Sequence, residues 1–189
     1  MKSQRFIVAA IALGIASLPG FAQQANVAGV PNFHQVNDHV YRGAQPTAPG
    51  FQSLAKLGVK TIIDLCEPNE HATPERQTVE AAGMRYVSIP LHGMSSPSTA
   101  DIAKVLALFD DPANGPVFVH CHRGADRTGT VVACYRVAHD GWNNDKALKE
   151  AKDFGMSWTE IAMKSYVKGY RPALVTATAG ASAGTGANN

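Results

Sequence analysis

Cys121 and Arg127 stand at the two edges of a break in the stretch "VFVHCHRGADRTGTVVACYR", residues 117–136. An apolar, strand-like run stops there, gives way to small and polar residues, and resumes as an apolar helix. A strand that passes through a short loop directly into a helix aims several unsatisfied backbone N–H groups, and the positive end of the helix dipole, at one point. That point is an anion site. Gly124 lets the loop bend tightly, because glycine enters backbone regions closed to other residues. A thiol at a helix N-terminus beside an arginine favours the thiolate, the nucleophilic form, and Cys121 is in that place. Arg127, in the first helical turn, can curl back so that its planar fork binds two oxygens of a tetrahedral anion. The spacing therefore sets a nucleophile and a clamp around one phosphate. Thr128 can donate its hydroxyl to the cysteine sulfur, and His120 can brace the loop through its ring.

The elements that must hold this loop follow from the pattern upstream and downstream. Residues 39–42 can form a short strand, closed by the turn residues of "GAQPTAPG". Residues 51–57 have helical spacing ended by Gly58, and "VKTIIDLC" is a buried strand by its β-branched content. "TPERQTVEAAG" reads as a helix with Thr73 as N-cap, Pro74 in the first turn and Gly83 beyond the end. "MRYVSIPL" is strand again. Ser98 or Thr99 caps a helix to about Phe109, "DPANGP" turns, and "VFVH" enters the motif. Three helical stretches follow: 128–139, stopped by Gly141; 144–154, capped by Asn144; and 158–167. Strands and helices alternating through short connections imply an α/β fold, a three-layer sandwich with a mainly parallel central sheet flanked by helices.

The whole chain sets bounds on this reading. Its 189 residues suit one domain, and 45% hydrophobic with 17% charged residues is an ordinary globular balance. Lys2 and Arg5 precede an apolar run over 6–18, which Pro19 and Gly20 break before the small residue Ala22. That order reads as a secretory signal peptide over 1–22, with an uncleaved N-terminal anchor as the alternative, and the run is shorter than the roughly 20 residues of a membrane span. The expected product is a periplasmic or secreted protein without stable membrane insertion. Removing the segment leaves 15 basic against 15 acidic residues. A neutral protein has no general field for nucleic acid, so anion preference must be local. Residues 23–33 read as a linker, 34–172 as the folded domain, and 173–189 as a disordered low-complexity tail. Three cysteines, Cys66, Cys121 and Cys134, match neither a disulfide scaffold nor a zinc site, and the histidines lack metal-ligand spacing.

"HCHRGADRTG", His120 to Gly129, resembles the signature of the cysteine-based protein tyrosine phosphatase superfamily: His-Cys, five residues, Arg, then Ser or Thr, with an internal glycine. The layout over about 36–168 is similar to the small dual-specificity phosphatases, and "VYRGAQP" resembles an N-terminal block of their bacterial and atypical plant-fungal members. The resemblance implies a two-step reaction without cofactor or metal. Cys121 attacks phosphorus, Arg127 and the amides of the loop formed by His122, Arg123, Gly124 and Ala125 stabilise the oxygens, with Thr128 and Gly129 opening the helix, and water hydrolyses the phosphocysteine.

That family supplies an aspartate from a separate loop to protonate the leaving oxygen, and "YVSIPLHGMSS", residues 86–96, has none. Asp126 is the favoured substitute, because myotubularin-like phosphoinositide phosphatases also carry an aspartate before the arginine; Asp101 and His92 are the others. Asp64 reads as a support. His122 and Arg123 are the basic loop positions that could reach further phosphates. The expected substrate is a phosphorylated protein, with phosphotyrosine or dual specificity; the alternative is an inositol phosphate or phosphoinositide. A rhodanese-like sulfurtransferase and an inactive phosphate-binding pseudophosphatase are the competing readings. Cys66, ending a neighbouring strand, is a candidate redox partner for Cys121, and Cys134 reads as core.

Overall fold

The computed structural model describes residues 26–69 and 72–172 of the chain. The expected signal peptide and the expected tail lie outside the described residues. Five strands, β1 (His34–Gln35), β2 (Val40–Ala44), β3 (Thr61–Asp64), β4 (Arg85–Ser88) and β5 (Val117–Cys121), form one sheet in the order β1-β2-β5-β3-β4. The pairs β2–β5, β5–β3 and β3–β4 are parallel, and the short β1 runs antiparallel on the edge. Six helices among the described residues surround it: α1 (Ala48–Lys56), α2 (Ala72–Ala81), α3 (Thr99–Asp110), α4 (Asp126–Ala138), α5 (Asn144–Asp153) and α6 (Ile161–Gly169). A 3-10 turn, Pro112–Asn114, occupies the expected turn.

Side chains alternate across a strand, and in β5 that alternation divides the core. Val117, Val119 and Cys121 face a cluster with Ile102, Val105 and Phe109 of α3 and Val131, Val132 and Tyr135 of α4. Phe118 faces the opposite layer, with Phe51 and Leu54 of α1, Val79 of α2 and Ile62. The result is the expected three-layer sandwich. A satellite cluster of Ala133, Ala147, Leu148, Ala151, Met156 and Val167 seats α5 and α6 on α4. No helix among the described residues is long and apolar enough to cross a membrane.

Several boundaries differ from the expectation. Residues 27–33 are no linker: Val30 and Phe33 are buried, and Phe33 stacks on Tyr41 and Phe118 with centroids 5.6 and 6.3 Å away. Two aromatic contacts and a β-strand edge give this segment enough apolar surface to dock, which its Gly, Pro and Asn content concealed. Helix α2 starts at Ala72, so Thr73 lies inside its first turn rather than capping it. Asn143, not Asn144, caps α5 through a 2.8 Å bond from the Lys146 N–H. Ser98 caps α3, as the pattern indicated. Helix α4 starts at Asp126, two residues early, because Ala125 serves as N-cap without any side-chain bond.

Candidate active site

The parallel strands β2, β3 and β5 end together, with Ala44 opposite Cys121 and Asp64 opposite His120. Cys121 is therefore the last residue of the central strand, 2% exposed, at the rim where the loop 122–125 crosses to α4. The missing side-chain cap matters, since the first amides of α4 keep their donors for a ligand. A cavity of about 240 Å³ opens above them, lined by Gly93, Cys121, His122, Arg123, Asp126, Arg127, Glu160 and Met163. A larger depression of about 530 Å³ lies at the opposite end of the strands, beside Asn37, His39, Tyr135 and His139, and contains no cysteine.

The loop is held by parts distant in sequence. Gly124 has φ +66°, and a Cβ there would lie 2.2 Å from the Gly43 carbonyl carbon, so both its conformation and its packing demand glycine. Arg42 Nη2 donates to the Gly124 carbonyl at 2.7 Å, and the amide of Asn32 donates to the carbonyls of Arg123, Gly124 and Phe154 at 3.2–3.3 Å. Burial brings the Arg42 guanidinium down to about 10, so it stays charged at neutral pH beneath the loop. Neither Arg42 nor Asn32 was singled out from the sequence. Arg42 lies within "VYRGAQP", and that block was the available signal.

His120, on the face opposite Cys121, bonds through Nε2 to Glu75 Oε1 at 2.8 Å. Glu75 Oε2 accepts from the Gln45 side chain at 2.9 Å, while the Gln45 backbone N–H donates to the His122 carbonyl at 3.3 Å. His120 thus braces the loop indirectly, by way of α2. Thr128 is fully buried and its hydroxyl finds no partner among the described residues, so the expected bond to the cysteine sulfur is not made. The early start of α4 buries Thr128 within the first turn. Gly129 lets α5 pack close, since a Cβ would lie 3.3 Å from that of Ala151.

Arg127 is 9% exposed, with long contacts from Nη1 to the carbonyls of Leu65 and Leu91 at 3.4 and 3.5 Å. Those contacts aim the guanidinium into the cavity from the ends of the strands. His122 and Arg123 are exposed on its rim, and Arg123 also faces a second recess beside Asn32, His34, Ala125 and Phe154.

The three acid candidates fare differently. His92 is largely exposed and bonds outward to Glu67 at 2.6 Å. Asp101 bonds to Ser98 and Lys104 on the surface of α3, and those bonds hold its carboxyl below the usual range. Neither lines the cavity. Asp126 does, but Oδ1 accepts the Ser157 backbone N–H at 2.7 Å and Oδ2 pairs with Arg123. A carboxylate committed at both oxygens to N–H donors is a latch between loop, α4 and the chain at 157. Glu160, which the sequence did not indicate, lines the same cavity.

Asp64, Cys66 and His120 place ligand-type atoms within 4.8 Å of one another. Their bonds are internal. Asp64 accepts from the Cys66 backbone N–H at 2.8 Å and the Tyr86 hydroxyl at 2.6 Å, and His120 bonds to Glu75. Burial, then Asp64, push the Cys66 thiol well up, which suits a buried support better than a ligand or reactive thiol. All three cysteines are free and buried.

Residues 20–169 match a family described as a DSP-PTPase phosphatase fused to NAD+ kinase. The chain is 29% identical over 135 residues to inositol diphosphatase DSP5 of Arabidopsis thaliana, an alignment covering 69% of this chain and 65% of that protein. It is 31% identical over 144 residues to the dual specificity protein phosphatase TpbA of Pseudomonas aeruginosa, covering 73% and 62%. The chain thus spans just under two thirds of the length of these curated relatives. The crystal structure of P. aeruginosa TpbA superposes with a TM-score of 0.67 at 29% identity, covering 78% of this chain and 89% of that one. The core catalytic domain of the PP-IP phosphatase SIW14 from S. cerevisiae shares the fold, with a TM-score of 0.69 at 24% identity and coverage of 77% and 89%.

Proposed function

Because the chain belongs to the DSP-PTPase phosphatase family, we propose that it hydrolyses phosphomonoesters through a phosphocysteine intermediate on Cys121. The observation that carries this is the shared cavity: the nucleophile at the end of β5, the buried Arg127 guanidinium and the uncapped N-terminus of α4 meet in one space of about 240 Å³. Cys121 Sγ attacks phosphorus, and Arg127 with the loop amides holds the equatorial oxygens as charge develops on them. Water then releases phosphate from the thiol.

The first substrate reading is a phosphorylated protein, at tyrosine or with dual specificity, in line with the name of the TpbA relative. The second is an inositol phosphate. It is favoured by the exposed His122 and Arg123, since Arg123 borders two recesses and could meet a second phosphate beside the first. Phosphopeptides and inositol phosphates offered under one set of conditions separate the two by kcat/KM. Export through residues 1–22 is proposed from their charge and apolar order, and N-terminal sequencing of the mature protein tests it.

Turnover of an aryl phosphate, lost in Cys121→Ser, is the decisive test of the enzyme reading. No cysteine-dependent release of phosphate between about pH 4 and 8 would leave a binding protein. Cyanide-dependent thiosulfate turnover would instead indicate a sulfurtransferase.

A further inference from the structure

Phosphoryl transfer to Cys121 leaves an oxygen that needs a proton, and two carboxylates line the cavity where it forms. Asp126 is engaged at both oxygens, by the Ser157 N–H and by Arg123. Glu160 is 8% exposed, and its Oε2 is buried with no hydrogen-bond partner among the described residues. It occupies the N-cap position of α6, yet its side chain makes no capping bond there. A buried carboxylate oxygen without a partner costs free energy that folding alone does not recover, and a side chain that carries one while lining a reaction cavity calls for a role. The groups sharing the space are Cys121 from β5, His122 and Arg123 from the loop, and Asp126 and Arg127 from α4.

On the phosphatase reading above, we propose that Glu160 is the catalytic acid and base, and that Asp126 is the positioning residue that latches its loop. The latch is the Ser157 N–H bond to Asp126, and the Glu160 N–H in turn donates to the Ser157 carbonyl at 3.3 Å. In the first step the Cys121 thiolate forms the S–P bond and the P–O bond to the leaving group breaks. The electron pair of that bond stays on the leaving oxygen, which takes the Glu160 proton and departs as an alcohol or phenol. In the second step water gives a proton to the Glu160 carboxylate and its oxygen bonds to phosphorus. The S–P bond breaks, the pair returns to Cys121 as thiolate, and inorganic phosphate leaves.

A proton donor matters in proportion to the basicity of the leaving group. Glu160→Gln keeps the shape and removes the proton, so the test compares phenyl phosphate with dinitrophenyl phosphate on one preparation of each protein. We expect kcat on phenyl phosphate to fall about 10²-fold or more, the scale of general acid catalysis, with KM little changed, while dinitrophenyl phosphate, whose leaving group needs no proton, loses far less. The ratio of the two substrates is independent of how much protein is folded. Glu160→Asp, which restores the proton at a shorter reach, should recover part of the loss on phenyl phosphate. Equal losses on both substrates, or none on either, would overturn the assignment to Glu160. Persistence of all activity in Cys121→Ser would instead overturn the phosphocysteine reading on which this assignment rests.

Discussion

Arg42 lies under the carbonyl of Gly124, its Nη2 2.7 Å from that oxygen, with its guanidinium carbon 4.8 Å from the centroid of the Phe154 ring. Its Nε and Nη1 are buried without hydrogen-bond partners among the described residues. Keeping a buried cation with unmet donors out of water costs free energy, and that cost offsets its bond to the Gly124 carbonyl, so an apolar replacement is expected to be neutral or better. The charge is placed instead to favour an anion above the loop. Arg42→Met is expected to leave the melting temperature unchanged or raised, while inhibition by inorganic phosphate weakens about tenfold, equivalent to about 1.4 kcal/mol. Calorimetry and steady-state inhibition read the two quantities separately. A large fall in melting temperature with unchanged phosphate affinity would contradict this role.

Gly124→Ala meets two obstacles at once. The positive φ costs a side-chain-bearing residue about 1–3 kcal/mol, and the added Cβ falls 2.2 Å from the Gly43 carbonyl carbon. Because the obstacle is backbone, the loop must move. Urea unfolding should show a loss at or above that range, and turnover of an aryl phosphate should nearly vanish even in the folded fraction.

Asp126 can be tested as a latch by comparing two substitutions. Asp126→Ala leaves the Ser157 N–H without its acceptor and releases Arg123, an expected loss of about 1–3 kcal/mol. Asp126→Asn retains an acceptor for Ser157 and should recover most of that stability. Activity in Asp126→Ala should fall more on phenyl than on dinitrophenyl phosphate, because displacing Glu160 withholds a proton that only the phenyl leaving group needs, whereas Asp126→Asn, which keeps the Ser157 bond, should lose little on either substrate. A loss confined to phenyl phosphate in both variants would make Asp126 itself the proton donor.

The Asp140 carboxyl ties α4 to its own end. Burial raises it, but bonds from His139 and Arg136 outweigh burial and hold it below the usual carboxylate range. The unfolded chain therefore takes up this proton first as pH falls. The associated stability is present above the ordinary carboxylate range and is lost as pH falls through the lower, folded value. Asp140→Asn should flatten the acid side of the stability profile between about pH 6 and about pH 3, by less than about 1 kcal/mol because the site is solvent-screened. Thermal melts across that range measure it, and a steeper acid loss in the variant would reverse the sign.

Much of the architecture was legible because it is written in contiguous residues. Val117, Val119 and Cys121 alternate with Phe118 and His120, and that period alone assigns two faces of a buried strand. Cys121, Gly124, Arg127 and the helix that receives them follow one another in a single stretch, so the loop and its candidate chemistry come together. The docking of residues 27–33 was not legible, since its evidence is the fit of Phe33 between Tyr41 and Phe118, which are neighbours only in the folded sheet.

The assignment of the two pocket carboxylates divides the same way. Sequence determined that an aspartate precedes Arg127 and that no aspartate stands in 86–96, and the likeness to myotubularin-like phosphatases favoured Asp126 over Asp101 and His92 as the acid. Tertiary structure decided that Ser157 and Arg123 already occupy its oxygens, and that Glu160, at the start of a helix far along the chain, lines the same cavity with one carboxylate oxygen buried and unpartnered among the described residues. A glutamate before a helix ordinarily reads as a favourable charge at the dipole's positive end. Only the packing of α6 against α4 and α5 brings it to this cavity, and a proton-transfer role is proposed for it because what separates a solvated acid from a catalytic one is which neighbours take its hydrogen bonds, and the chain brings those neighbours together from separate segments.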